Sequence, residues 1–342
     1  MMETAPRNRD PGQAFVGGTL TVVVPVYNEE EVVREFHGRL STVLDASEMR
    51  STILYVNDGS KDRTLETLLD LRRSDSRVEI IDLSRNFGKE IALTAGLDHA
   101  DADAVVVIDA DLQDPPELIS ELIKGWREGY DIVYAQRSAR EGEGFVKKIT
   151  AYTFYRLIQR VSHVRIPEDA GDFRLLSRRV VHALREFRER NRFMKGLFAW
   201  VGYRQQAVRF QRHPRFAGRT KWNYWKLWNF ALEGFTSFTT APLKIATYVG
   251  LIIATGALIF AVVVIYKTLF YGEAVRGYPS LMVVVLFLGG AQLMTIGILG
   301  EYVGRMFDET KGRPLYLVQT HYRGTGVPPR VGEVSGSVDT NP

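Results

Sequence analysis

Val105-Val106-Val107-Ile108-Asp109-Ala110-Asp111-Leu112-Gln113-Asp114-Pro115-Pro116-Glu117 is the stretch that decides the fold. Four β-branched residues in a row predict a buried strand, because a strand covered on both faces reads as a continuous apolar run. The strand runs into two carboxylates separated by one residue and then a Pro-Pro break. Strand alternation puts Asp109 and Asp111 on the same side, at the carboxyl end, where open α/β sheets bind their ligands. Two like charges this close repel unless a cation lies beside them. Mg²⁺ or Mn²⁺ suits such a pair, taking one or two protein carboxylates and completing its shell with water and substrate phosphates. A helix-capping Asp beside a turn Asp would account for the same letters.

Outward from this strand the chain alternates. Strands are expected at Thr19 to Val26, Thr52 to Val56, Val78 to Leu83 and Ala104 to Ile108. Helices are expected between them at Glu29 to Leu44, Asp62 to Arg73 and Lys89 to His99. This order predicts a Rossmann-like α/β domain, a parallel sheet with helices on both faces. Further on, Ile132 to Ala135 and Gln205 to Phe210 read as strands, and Phe145 to Val161 and Ser177 to Arg190 as helices. Pro314 to Gln319 reads as a strand or hairpin.

Composition sets the outer limits. The 342 residues suffice for a catalytic domain and something more, and the absence of cysteine excludes disulfides, thiolate nucleophiles and zinc-thiolate sites. A formal net charge of +4 is too modest to imply nucleic acid. The polar start, residues 1–18, lacks the apolar core of a signal peptide and is expected to be disordered, as is the Gly-, Pro- and Ser-rich end of the tail. Two segments differ sharply from the rest. Ile245 to Tyr266 gives 22 residues without a charge, and Tyr278 to Gly300 gives 23. Each is long enough to cross a hydrocarbon core of about 30 Å. Lys221, Lys226 and Lys244 precede the first, and Arg305, Lys311, Arg313 and Arg323 follow the second. The positive-inside rule then places the large domain and both termini in the cytoplasm, on the inner face of the plasma membrane. Between residues 220 and 244 lie three of the five tryptophans, Trp222, Trp225 and Trp228. Their helical spacing suits amphipathic helices at the headgroup boundary. The expected organisation is a lead-in (1–18), an α/β domain (19–219), the interface segment (220–244), two transmembrane helices (245–303) and a cytoplasmic tail (304–342). Gly289-Gly290 and Gly297 with Gly300 would pack spans between protomers of a homo-oligomer, or equally within one hairpin.

Five loops carry the chemistry. Pro25-Val26-Tyr27-Asn28-Glu29-Glu30 offers an aromatic face before a helix N-terminus, which favours anions. Asn57-Asp58-Gly59-Ser60 places an acceptor where a base edge or ribose would lie. Arg85-Asn86-Phe87-Gly88-Lys89 combines a glycine with two cations, suited to a diphosphate. The fourth is the Asp109-Ala110-Asp111 turn with Gln113, and the fifth is Asp169-Ala170-Gly171-Asp172-Phe173-Arg174, expected between two helices.

In this order the loops resemble glycosyltransferase family 2, and within it the polyprenyl-phosphate glycosyltransferases, both dolichyl-phosphate mannose synthase-like and bacterial undecaprenyl-phosphate glucosyltransferase-like. The matching runs are Val24 to Glu29, Val56 to Ser60, Arg85 to Lys89, Asp109 to Glu117 and Asp172 to Leu175, within about residues 19 to 235. The resemblance implies a GT-A fold, a nucleotide-sugar donor (UDP-glucose first, GDP-mannose second), Mg²⁺ or Mn²⁺, and inversion at the sugar. It implies that Asp111 and Gln113 bind the metal, that Asp109 contacts the nucleotide or sugar, and that Lys89 lies near the diphosphate. Pro25, Tyr27, Glu29 and Asp58 would hold base and ribose, with Asn28 in the same binding loop.

A polyprenyl-phosphate acceptor fits the tether, since a long polyprenyl chain cannot leave the bilayer cheaply. Its phosphomonoester, with a second pKa of about 6, is already mostly ionised. Asp172 is therefore expected to orient the acceptor or remove a residual proton. Arg137, Arg215, Arg219 and Lys221 are candidate cations for its phosphate, the last two also suited to anionic lipid headgroups. Two other functions share much of this sequence. A processive polysaccharide synthase would use a Q-x-x-R-W element, approached by Gln206-Ala207-Val208-Arg209-Phe210. A non-catalytic nucleotide-binding membrane scaffold would keep the fold without the chemistry.

Overall fold

The computed structural model describes residues 18–137, 170–190, 192–210, 241–271 and 277–324. The expected lead-in up to residue 17, the helix at Phe145 to Val161, the Trp-rich segment up to residue 240 and the end of the tail lie outside these. An eight-stranded sheet forms the centre, in the order β7-β5-β6-β4-β1-β2-β3-β8. Its strands are β1 (Thr19–Val26), β2 (Arg50–Asn57), β3 (Val78–Leu83), β4 (Ala104–Val107), β5 (Ile132–Arg137), β6 (Ala170–Ser177), β7 (Gln205–Phe210) and β8 (Val318–Tyr322). β1 pairs in parallel with β2 and β4, and β2 with β3, as the alternating sequence requires.

Helices cover both faces. α1 (Val33–Asp45), α2 (Thr64–Ser74) and α4 (Ile119–Arg127) lie on one side, α3 (Lys89–His99), α5 (Arg178–Glu186) and α6 (Met194–Trp200) on the other. Alternation along each strand divides the core. Val22 and Val24 of β1, Tyr55 of β2 and Val106 of β4 join Phe36 and Leu40 of α1 in one cluster. Val23, Leu54, Val56, Val105 and Val107 join Leu93 and Leu97 of α3 in the other. Gly96 of α3 is a close-approach position, since a Cβ there would run into the Val23 side chain. α1 starts later than expected because Glu29 opens a turn, its carbonyl accepting from the amides of Val32 and Val33.

Two expectations need correction. The segment around Asp172 is not a loop between helices: Ala170–Ser177 is β6, near the sheet's centre, antiparallel to both β4 and β5. Phe173 and Leu175 enter one core cluster and Leu176 the other, a strand pattern that the interleaved Gly171, Asp172 and Arg174 conceal. The sheet is therefore mixed, not parallel throughout. β8 supplies a second antiparallel edge against β3, held also by two hydrogen bonds from the Arg72 guanidinium to the Arg323 carbonyl (2.6 and 3.1 Å).

The two uncharged segments lie in single long helices, α7 (Ala241–Tyr271, 31 residues) and α8 (Tyr278–Thr310, 33 residues). Among the described residues no helix is long and apolar enough to cross a membrane. The last turns of α8 meet the α/β domain: Glu309 accepts from the Arg190 amide at 2.7 Å, and the Arg190 guanidinium bonds the Arg313 carbonyl.

Candidate active site

The β1, β2 and β3 loops interlock at the carboxyl edge of the sheet. Asn28 sits in the left-handed region, φ 54°, and its side-chain oxygen accepts from the Lys61 amide at 2.8 Å. The Asn28 amide donates to Ser60 Oγ (3.0 Å) and the Glu29 amide to Thr64 Oγ1 (2.9 Å). Gly59, φ 61°, lets this turn press on the next loop: a Cβ there would lie 2.6 Å from the Asn86 nitrogen. Asp58 is 3% exposed, and its two oxygens accept from the amides of Phe87 (2.7 Å) and Gly88 (2.9 Å). Burial raises its pKa against the pull of those amides. Asp58 thus braces the Arg85–Lys89 loop. Tyr27, 41% exposed, is left facing solvent above the strand end, where an aromatic face can stack on a base. Pro25 is the penultimate residue of β1, paired with Val56 of β2.

β4 ends at Val107, and the chain turns through Asp109 and Asp111. Leu112 takes φ 58°, uncommon for a residue with a branched side chain. The turn is held where Asp111 Oδ1 accepts from the Gln113 amide at 3.1 Å. Gln113 is buried at 4% exposure, with its side-chain Nε2 lacking a hydrogen-bond partner.

Lys89, first residue of α3, joins two distant parts of the chain. Its ammonium lies 2.7 Å from Asp109 Oδ2 and 2.6 Å from Asp172 Oδ2. Partial burial would lower its pKa, but the two carboxylates outweigh that and keep it charged. Burial raises the Asp109 pKa, opposed by Lys89 and reinforced by Asp172 and Asp111. Burial would raise Asp172 too, yet Lys89, Lys195 and Arg174 bring it down to about 2. Asp172 is therefore an ionised carboxylate whose Oδ1 is buried without a hydrogen-bond partner.

Two residues of this cluster, Glu90 and Lys195, were not singled out from the sequence, and a third, Arg174, stood in the fifth loop without an assigned role. Glu90 accepts from the Met194 amide at 3.3 Å; burial, with Asp172 nearby, raises its pKa to about 7. Arg174, 4% exposed, donates to the carbonyls of Gly171 (2.6 Å) and Asp172 (3.3 Å) and stacks on Phe198, 3.9 Å from the ring centre. Burial lowers its pKa to about 10. Lys195 follows Met194 on α6. Glu90 had a signal, as the neighbour of Lys89; Lys195 had none, because it joins the site only through the packing of α6.

The family model for glycosyl transferase family 2 matches residues 21–185, a span that contains all five loops. A Synechocystis sp. protein named an uncharacterized glycosyltransferase is 57% identical over 299 residues, 87% of this chain and 94% of its own. The chain belongs to glycosyltransferase family 2. It is also 50% identical to a prophage bactoprenol glucosyl transferase homolog of Escherichia coli K12 (88% of this chain, 98% of that protein). A bactoprenol glucosyl transferase of Shigella phage SfV is 48% identical over 88% of this chain and 98% of its own. Among solved structures, mannosyl-3-phosphoglycerate synthase from Rubrobacter xylanophilus matches 63% of this chain and 71% of its own, with a TM-score of 0.45 and 18% identity.

Among the described residues no group of three or more His, Cys, Asp or Glu side chains could hold a metal. A cation completed by a donor diphosphate needs fewer protein ligands. The carboxylates of the Asp109–Asp111 turn fit that smaller requirement. Of the expected acceptor cations, Arg137 ends β5, while Arg215, Arg219 and Lys221 lie outside the described residues. Gln206 turns towards α4, its Nε2 3.5 Å from Glu128 Oε2, and away from the carboxylates.

Proposed function

We propose that this glycosyltransferase moves glucose from UDP-glucose to a polyprenyl phosphate at the cytoplasmic face of the plasma membrane, with inversion at the sugar. The observation that carries the reading is the Lys89 bridge, which ties the carboxylate turn of β4 to Asp172 on β6. The names of relatives about half identical over nearly the whole chain supply the sugar and lipid class.

The loops of β1, β2 and β3 would bind the nucleotide, with Tyr27 stacked on the base and Lys89 at the diphosphate. A divalent cation held by Asp111 and Gln113 would neutralise charge on the departing nucleoside diphosphate. The acceptor phosphate oxygen bonds to the sugar's anomeric carbon as the bond from that carbon to the diphosphate oxygen breaks. No proton need move when the phosphate arrives as a dianion. An ionised Asp172 then serves to orient the acceptor; with its pKa held at about 2, it is too weak a base to take the proton of a monoanion whose second pKa is about 6. In this reading α7 and α8 cross the bilayer and keep the site at headgroup depth, supported by uncharged runs of 22 and 23 residues.

Transfer in detergent tests this, with radiolabelled UDP-glucose, UDP-galactose, UDP-GlcNAc and GDP-mannose supplied separately with undecaprenyl phosphate and Mn²⁺ or Mg²⁺. Label in a mild-acid-labile lipid from UDP-glucose alone is expected. Label in a water-soluble polymer would overturn the reading in favour of a processive synthase, and no transfer from any donor would leave a binding scaffold.

A further inference from the structure

The two oxygens of Asp172 differ: Oδ2 holds Lys89, while Oδ1 is buried without a partner. α6 lies against this carboxylate and is pinned at two points. Its first residue, Met194, donates its amide to Glu90, and Phe198, one turn on, lies beneath the Arg174 guanidinium. Arg174 bonds in turn to the Asp172 carbonyl. Lys195 and Phe198 are three residues apart, so both leave the helix on one face. That face meets the strand carrying Asp172. Lys195 accordingly acts electrostatically on Asp172 and Glu90 together, favouring the charged form of each.

Three cations surround Asp172, and two are already committed. Lys89 is shared between Asp109 and Asp172. Arg174 is buried with its donors on main-chain carbonyls. Lys195 is half-buried, and no ion pair among the described residues engages it. The sheet order puts the interlocked β1, β2 and β3 loops on one side of β4, and β6 with Asp172 on the other. A donor diphosphate over the first group leaves the Asp172 side for the incoming nucleophile. A phosphate dianion approaching an ionised carboxylate there needs a positive charge to offset the repulsion.

We propose that Lys195 binds the acceptor's phosphomonoester beside Asp172. The proposal rests on the polyprenyl-phosphate reading above and adds to it the residue that recognises the phosphate. The full chain in detergent tests it, comparing wild type, Lys195→Gln and Lys195→Arg for the KM of UDP-glucose and of undecaprenyl phosphate separately. Losing a charge-assisted contact made to the acceptor alone should raise the acceptor KM about tenfold in Lys195→Gln and leave the donor KM within about twofold. Lys195→Arg should recover most of the loss. Geranyl phosphate should show the same rise, because the contact is to phosphate and not to the chain. An unchanged acceptor KM, an equal rise in donor KM, or a rise confined to undecaprenyl phosphate would overturn the proposal. Wild-type enzyme inactive with both acceptors would instead refute the polyprenyl-phosphate reading itself.

Discussion

The two halves of the sheet are built differently. On the β1-β2-β3 side each loop is braced by the next: Asn28 on Lys61, Glu29 on Thr64, Gly59 on Asn86, Asp58 on Phe87 and Gly88. On the β6-α6 side the site is assembled from distant residues at single points, Lys89 on Asp172 and Glu90 on Met194. A network of short-range bonds pre-forms the first half, so its shape does not wait for a ligand. The second half depends on how α6 and β6 pack. Substitutions in the first should therefore affect donor binding, and substitutions in the second should affect turnover and acceptor binding.

The largest effect is expected where the halves meet. Asp111→Ala should lower transfer by about a thousandfold or more if, as proposed, Asp111 holds the cation that stabilises the leaving diphosphate. Chelation of divalent cations with EDTA in the wild type should reproduce that loss, and re-addition of Mn²⁺ or Mg²⁺ should reverse it. Next comes Asp58→Ala. It leaves the Phe87 and Gly88 amides without acceptors, at a cost of about 1–3 kcal/mol for each buried donor left unpaired. UDP binding measured by calorimetry should weaken, with the acceptor KM little changed. Gly59→Ala tests the same half sterically; a Cβ on a φ of 61° against the next loop should lower the melting temperature and weaken UDP binding. A loss of turnover without a loss of UDP affinity in either variant would break the distinction.

A smaller effect is expected away from both halves of the site. His37 is buried between α1 and β2, with Nδ1 3.1 Å from the Tyr55 hydroxyl. Burial lowers its pKa from the ordinary 6.5, against the pull of Asp75. The unfolded chain therefore takes up the proton more readily, and stability is lost as pH falls through about 6.5. Melting curves from pH 7.5 to 5.5 should drop more steeply for wild type than for His37→Gln. Smallest of all, Asp70→Ala removes pairs with Arg34 and Arg73 in which every side chain is at least half exposed; no more than about 1 kcal/mol is expected in chemical denaturation.

What the sequence revealed follows the same division. The β1 to β4 repeat is legible because each buried strand is a run of Val, Ile and Leu, and each loop carries its own turn chemistry. The carboxylate turn after β4 is legible for the same reason. β6 is not, because Gly171, Asp172 and Arg174 interrupt its apolar alternation. Phe173 and Leu175 face one core, while Asp172 and Arg174 occupy the positions between them. Nor could spacing reveal that Lys89 meets a carboxylate 83 residues away, or that α6 brings Lys195 to the same place. These contacts are set by sheet order, which local patterns do not encode. The apolar lengths of α7 and α8 are plain from sequence, since absence of charge over such a run needs no tertiary context.

Asp172 is joined through Lys89 to the carboxylate turn of β4, so the most direct measurement is the steady-state kinetics of Asp172→Asn against wild type, with UDP affinity measured in parallel. The substitution keeps the shape and removes the charge that faces Lys89 and the acceptor. A fall in kcat of about a hundredfold is expected, within the range for a residue that positions a nucleophile, with UDP affinity within about twofold. Nearly full turnover in Asp172→Asn would contradict it.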